Sequence, residues 1–105
     1  MYARNVAIRL KPNTLVDFTQ TFETNVLPIL RRQKGFQDEI TFAMPGGTDI
    51  VAISLWDTQE NAETYNTAGY PEVLKSLERF LDGSPKLRTS DVISSTIHKA
   101  AVIAA

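Results

Sequence analysis

Residues 36–56 read Phe36-Gln37-Asp38-Glu39-Ile40-Thr41-Phe42-Ala43-Met44-Pro45-Gly46-Gly47-Thr48-Asp49-Ile50-Val51-Ala52-Ile53-Ser54-Leu55-Trp56. The first limb, Phe36 to Met44, is rich in β-formers around Ile40, Thr41 and Phe42, and Pro45-Gly46-Gly47-Thr48 is a turn sequence, so the segment predicts a hairpin. The second limb, Asp49 to Trp56, scarcely alternates between apolar and polar residues. A strand of that kind is covered on both of its faces.

The chain on the N-terminal side of the hairpin supplies a strand and a helix. Over residues 3–11, Val6, Ile8 and Leu10 alternate with Asn5, Ala7 and Arg9, the period of a half-buried strand. Lys11-Pro12-Asn13 breaks that strand, and Thr14-Leu15-Val16-Asp17 has the pattern of a capping box at a helix start. Leu15, Phe18, Phe22, Val26, Ile29 and Leu30 recur at helical spacing, with an end near Gln33 or Lys34 before Gly35. Pro28 inside that stretch removes a hydrogen bond and opposes the carbonyl of Thr24, which predicts a kink.

On the C-terminal side, Asp57-Thr58-Gln59-Glu60 offers caps for a helix carrying Ala62 and Tyr65 and stopping near Gly69. Tyr70-Pro71 restarts it, with Val73, Leu74, Leu77, Phe80 and Leu81 as its apolar stripe. Residues 87–98 predict a last strand with Ile93 and Ile97 on one face and Val92, Ser94, Thr96 and His98 on the other.

Strand, helix, strand, strand, helix, strand is the ferredoxin-like βαββαβ order of an α+β domain, a four-stranded antiparallel sheet with its helices on one face. One such domain spans residues 1–98, and residues 99–105 form an apolar tail that suggests docking. Val6, Ile8 and Leu10, Val51, Ile53 and Leu55, and Ile93 and Ile97 are expected under the helices. The opposite face, with Asn5, Arg9, Ala52, Ser54, Trp56 and His98, is too apolar in its third strand to sit in water and too polar elsewhere to be plain core. A second copy of the sheet would cover it, giving a homodimer with a partly polar cavity.

Composition narrows the classes of function. The 105 residues suit a single core, and 43% hydrophobic with 22% charged residues is ordinary for a globular chain. A net charge of -1 gives no field to collect nucleic acid. No apolar run reaches the length that spans a bilayer and no signal-peptide core opens the chain, so no membrane association and a cytoplasmic location are expected. Without cysteine and with one histidine, a metal site is not expected.

The candidate ligand-binding residues are Asn5, Arg9, Trp56, Tyr65 and His98. Trp56 is either a platform for a planar aromatic or core. His98 suits proton transfer near neutral pH, and a surface or interface role equally suits a histidine near a chain end. Arg9 either stabilises a phenolate or enolate or pairs across the sheet. Asn5 and Tyr65 have hydrogen-bonding roles toward a ligand, beside packing or backbone-satisfying ones. The adjacent Asp38 and Glu39 face opposite sides of a strand and cannot act as a carboxylate pair. These residues are expected to border a pocket between the sheet and the second helical region.

With its element order, Ser54-Leu55-Trp56-Asp57 running from a strand into a capped helix, and Gly69-Tyr70-Pro71-Glu72-Val73-Leu74 in the second helical region, the chain resembles the dimeric α/β-barrel superfamily of antibiotic-biosynthesis-monooxygenase-like proteins. The resemblance covers nearly the whole length. It implies a homodimer that handles a small planar aromatic, with cofactor-independent oxygenation of a phenol or quinol as the reaction and no cofactor. A non-catalytic ligand-binding domain or a structural dimer is the alternative. Trp56 resembles the tryptophan that borders the pocket in several members, and Asn5 resembles the first-strand asparagine of the heme degraders. Asn66 stands near the place of the heme degraders' helix histidine, and Ala52 replaces an asparagine of the polyketide oxygenases.

Overall fold

Alternation in the first strand decides which side of the sheet becomes core. In the computed structural model, which describes residues 1–98, β1 spans Tyr2–Arg9, and Arg4, Val6 and Ile8 are buried while Ala7 and Arg9 are exposed. A broken helix follows, with α1 at Leu15–Thr21, one π-helical stretch at Phe22–Val26 and α2 at Leu27–Arg31. The hairpin is β2 (Phe36–Ala43) and β3 (Asp49–Trp56). Next come α3 (Gln59–Ala68), α4 (Tyr70–Leu77) with a 3-10 turn at Glu78–Phe80, and β4 (Lys86–Asp91).

The strands lie in the order β2-β3-β1-β4, every neighbouring pair antiparallel, which is the expected α+β ferredoxin-like arrangement. The helices cover one face. Their apolar stripes, among them Phe18, Phe22, Val26, Val73 and Leu77, close over Val6, Ile8, Ile50 and Trp56 in one core. No helix among the described residues is long and apolar enough to cross a membrane.

The phase of β3 is the reverse of the one expected from sequence. Register sets Tyr2 opposite Trp56, Arg4 opposite Ser54, Val6 opposite Ala52 and Ile8 opposite Ile50, so the even-numbered residues of β3 lie under the helices. Val51, Ile53 and Leu55 take the outer face with Asn5 and Arg9. A strand apolar on both sides carries no alternation to fix its phase, and a shift of one residue exchanges the faces completely. Trp56, placed by the sequence reading on the outer face, is 0% exposed in the core.

The last strand is shorter than predicted. It stops at Asp91, and Ile93 and Ile97 are 81% and 69% exposed, not under the helices. Ser94, Thr96 and His98 therefore share no strand face. β1 pairs with β4 over Tyr2–Ala7, and beyond the Tyr2–Asp91 pair the Val92 N–H donates to the Met1 carbonyl at 2.9 Å, where β1 runs out of residues to pair. The tail at 99–105 lies outside the described residues.

Two helix details also depart from expectation. Thr14 precedes α1 without capping it, and its hydroxyl instead donates to the Lys11 carbonyl at 2.7 Å, holding the turn after β1. Pro28 is reached through a widened turn, in which the Leu27 N–H donates to the carbonyl of Phe22, five residues back. The widening gives the ring room before α2, where Pro28 occupies a first-turn position that needs no N–H donor.

Candidate functional site

Three strands contribute one polar row beneath the second helical region. Ser54 of β3 is paired with Arg4 of β1 on one side and Glu39 of β2 on the other, so Arg4, Ser54 and Glu39 lie side by side on the helix-covered face. A bulge between Phe36 and Asp38 sets this phase of β2, because without the extra residue Glu39 would face outward. All three residues line a cavity of about 40 Å³ whose other walls include Phe22, Val26, Leu30, Ala52, Tyr65, Tyr70 and Leu77.

The aromatic residues form a continuous run to Arg4. The Phe36 ring meets Trp56 edge-on at 5.6 Å, Trp56 stacks on Tyr65 at 4.9 Å and 26°, and Tyr65 lies 6.0 Å from Tyr70. The guanidinium of Arg4 sits 5.0 Å from the Tyr65 ring centre and 4.6 Å from that of Tyr70. A desolvated cation held against two aromatic rings gains on the order of 2 kcal/mol from each such contact.

Arg4 is 2% exposed, and its Nη1 donates to Asn66 Oδ1 at 2.9 Å. Its Nη2 is buried with no hydrogen-bond partner among the described residues. Burial pulls this guanidinium below its ordinary value, opposed by Tyr65, Tyr70 and Tyr2. Burial also raises the phenols of Tyr65 and Tyr70 above theirs, so both remain protonated at neutral pH. Glu39 is raised by burial too, against the hydroxyl of Thr41, which donates to its Oε2 at 2.6 Å.

A groove of about 230 Å³ runs beside the cavity between α1 and β2, lined by Leu15, Phe18, Leu27, Thr41, Ala43 and Ile50. Phe22 and Glu39 line both spaces, so the groove and the cavity adjoin at these side chains. A flat apolar body of one or two rings suits the groove, and a polar edge suits the cavity with Arg4 at its end.

Of the five residues singled out from sequence, the structure brings Trp56 and Tyr65 together and leaves three elsewhere. Asn5 and Arg9 lie on the outer face, because β1 alternates and the cavity takes its even-numbered residues. Arg9 donates to Asp49 Oδ1 at 3.2 Å in an exposed pair. His98 lies after β4 with Nε2 3.3 Å from Asp38 Oδ2, also on the outer side of β2. The expectation that all five border one pocket is corrected by these positions. Arg4, Ser54 and Glu39 are not among the candidate ligand-binding residues named from sequence: Ser54 enters only as part of the opposite face and Glu39 only as half of a rejected carboxylate pair, and the signal for Arg4 is a charged residue sharing the parity of Val6, Ile8 and Leu10. Among the described residues, no group of three or more metal-ligating side chains is placed to hold an ion.

The fold is shared with several solved structures. A candidate antibiotic biosynthesis monooxygenase from Bordetella bronchiseptica has a TM-score of 0.76 at 14% identity, covering 89% of this chain and 97% of its own. A monooxygenase from the gene ActVA-Orf6 of Streptomyces coelicolor, solved in complex with nanaomycin D, has a TM-score of 0.73 at 18% identity, covering 99% and 92%. SnoaB, a cofactor-independent oxygenase from Streptomyces nogalater, has a TM-score of 0.75 at 11% identity, covering 92% and 97%. No family model matches the chain, and no curated protein matches it by sequence. At these identities the likeness is one of fold, that of antibiotic-biosynthesis-monooxygenase-like proteins.

Proposed function

We propose that this protein handles a small planar aromatic and is a cofactor-independent oxygenase of phenol- or quinol-like substrates, working as a homodimer joined through its outer sheet faces. The observation that carries this reading is the burial of Arg4 between two tyrosine rings with one guanidinium nitrogen unpartnered among the described residues, in a cavity with apolar walls. An unpaired buried cation is costly to a fold and suits the binding of an anion. Loss of the substrate's acidic proton gives an electron-rich anion that reacts with oxygen, and a fixed cation in a dry site stabilises that charge. The oxygenases that share this fold support the class of reaction.

The homodimer reading rests on the outer face. Ile40 and Phe42 are 52% and 44% exposed beside Val51, Ile53 and Leu55, an apolar surface that one protomer leaves open. Oxygen uptake with a set of quinols and naphthols, without added flavin or metal, tests the activity. Saturable uptake that falls at least tenfold in Arg4→Met is the expected result. Ligand-induced thermal stabilisation without uptake would leave a binding domain instead.

A further inference from the structure

Arg4 and Ser54, neighbours across the β1–β3 ladder, each bring a hydrogen-bond donor to the cavity. Such neighbours stand about 5 Å apart at Cβ. Arg4 Nη2 is buried without a partner, and neither ion pair of the described residues includes it. Ser54 Oγ accepts the indole N–H of Trp56 at 2.9 Å, which leaves its own hydrogen free to donate. No base stands beside these donors: Glu39 is separated from Arg4 by the whole of β3, roughly 9–10 Å. The other titratable groups around Arg4 are the phenols of Tyr2, Tyr65 and Tyr70. A site with donors and no base suits an anion that arrives already ionised. A carboxylate is one, an acceptor at every lone pair and charged at neutral pH.

The body of the ligand follows from the walls. From Arg4 the cavity runs along the inward side of β1, past Val6 and Ile8, to Leu81, which bridges Leu10 beyond the end of that strand. Val73, Leu74 and Leu77 of α4 close it from above, so past the two donors this path is aliphatic. Its 40 Å³ amounts to room for about three waters, which limits the ligand to a short chain.

We infer that the cavity binds a short aliphatic carboxylic acid of about four carbons, its carboxylate bridging Arg4 Nη2 and the Ser54 hydroxyl and its tail lying along Val6 toward Ile8. No covalent bond changes and no proton moves. The bound carboxylate pairs a guanidinium that is otherwise buried alone, so acid and folded state stabilise one another. This ligand is distinct from the aromatic one proposed above, yet takes the same guanidinium nitrogen. It therefore excludes a substrate anion from Arg4 and inhibits oxygenation there competitively. That inhibition rests on the oxygenase reading; the binding itself does not.

Calorimetric titration of the intact protein with sodium butyrate at neutral pH, in a chloride-free buffer, tests the site apart from oxygen chemistry. Binding should saturate, with a heat that does not depend on the buffer, because neither partner changes its protonation. Acetate, two methylenes shorter, should bind roughly tenfold more weakly. Butyramide, which has the shape without the charge, should not bind, and chloride should compete only at concentrations about tenfold higher or more. Arg4→Met should melt higher than ligand-free wild type and gain no stability from butyrate. Arg4→Lys, which keeps the charge but not the forked donors, should weaken binding about tenfold and serves if Arg4→Met fails to fold. Ser54→Ala should weaken it about fivefold. No butyrate binding by the wild type, equal binding of butyramide or chloride, a buffer-dependent heat, or full affinity in a folded Arg4→Met or in Arg4→Lys overturns the carboxylate site. Full affinity in Ser54→Ala overturns the bridging geometry. Butyrate binding without quinol-dependent oxygen uptake keeps this inference and removes the oxygenase, whereas uptake in a protein that ignores butyrate removes the inference alone.

Discussion

Trp56 Nε1 donates to Ser54 Oγ at 2.9 Å in the core, tying the largest fully buried side chain to the middle of the polar row. Ser54→Ala leaves a buried indole N–H without that acceptor and should cost about 1–3 kcal/mol, read by urea unfolding. Native-state tryptophan emission should change with it. An unaltered midpoint would mean that the indole has another acceptor.

Glu39 provides a pH signature of the fold. Its folded-state value is raised above the 4.5 of a free carboxyl, mainly by burial, so the protonated form is the one the fold prefers. Its contribution is fully present below that value and is lost as pH rises through the raised one. Glu39→Gln should therefore be more stable than wild type at pH 7 and lose that advantage on acidification toward pH 4, read as melting temperature against pH. A difference that grows toward acid would show the opposite sign of shift.

Sedimentation of the wild type at micromolar concentration should give a dimer, and Phe42→Asp or Ile53→Asp should give a folded monomer. Both side chains are on the outer face, where a charge is costly only if a partner removes it from water. Trp56 emission should be the same in monomer and dimer, since the indole is buried within its own protomer.

Gly35 links the end of the first helical region to β2 at a φ of 82°, and its carbonyl accepts the Asp57 N–H at 2.9 Å. A Cβ there would stand 2.1 Å from Asp57 Oδ1 and 2.5 Å from Asn61 Nδ2. Gly35→Ala should destabilise by on the order of 1–3 kcal/mol from backbone strain, with a further loss as the Asn61–Asp57 hydrogen bond is displaced. Thermal unfolding measures the sum.

Arg9→Ala and His98→Gln should leave butyrate binding unchanged, because the exposed Arg9–Asp49 pair and the His98–Asp38 pair both lie across the sheet from Arg4. Equal titration curves for the two variants and wild type are expected. A loss in either would place ligand contacts on the outer face.

The strands and helices were legible where polarity alternates with one period. Val6, Ile8 and Leu10 against Asn5, Ala7 and Arg9 identify β1, and Val73, Leu77 and Phe80 identify the buried side of the last helix. Of the two aromatic residues named from sequence, Tyr65 lines the cavity, while Trp56 stacks on it from within the core and does not itself line the space. Glu39, Ser54 and Arg4 could not be joined from sequence. Their alignment depends on two strand registers and one bulge, and none of these is a property of a single segment. The phase of Ile50 to Leu55 stayed open for a related reason, since apolar residues on both faces satisfy either register.

The widened turn between α1 and α2 carries one residue more than an ordinary helix would need over the same rise. Phe22, Val26 and Leu30, which line the cavity, follow one another at intervals of four, and on a regular 3.6-residue spiral the third would have rotated well away from the first. The surplus residue slows that rotation. Loss of one position between Phe22 and Val26 would let an ordinary helix cover the same rise, so the residues after it would keep the faces they occupy while the wall at the turn itself changes. In comparisons with shorter relatives, a single-residue gap in this region therefore marks loss of the widened turn and a local change in the pocket wall, with the side chains downstream still on corresponding faces.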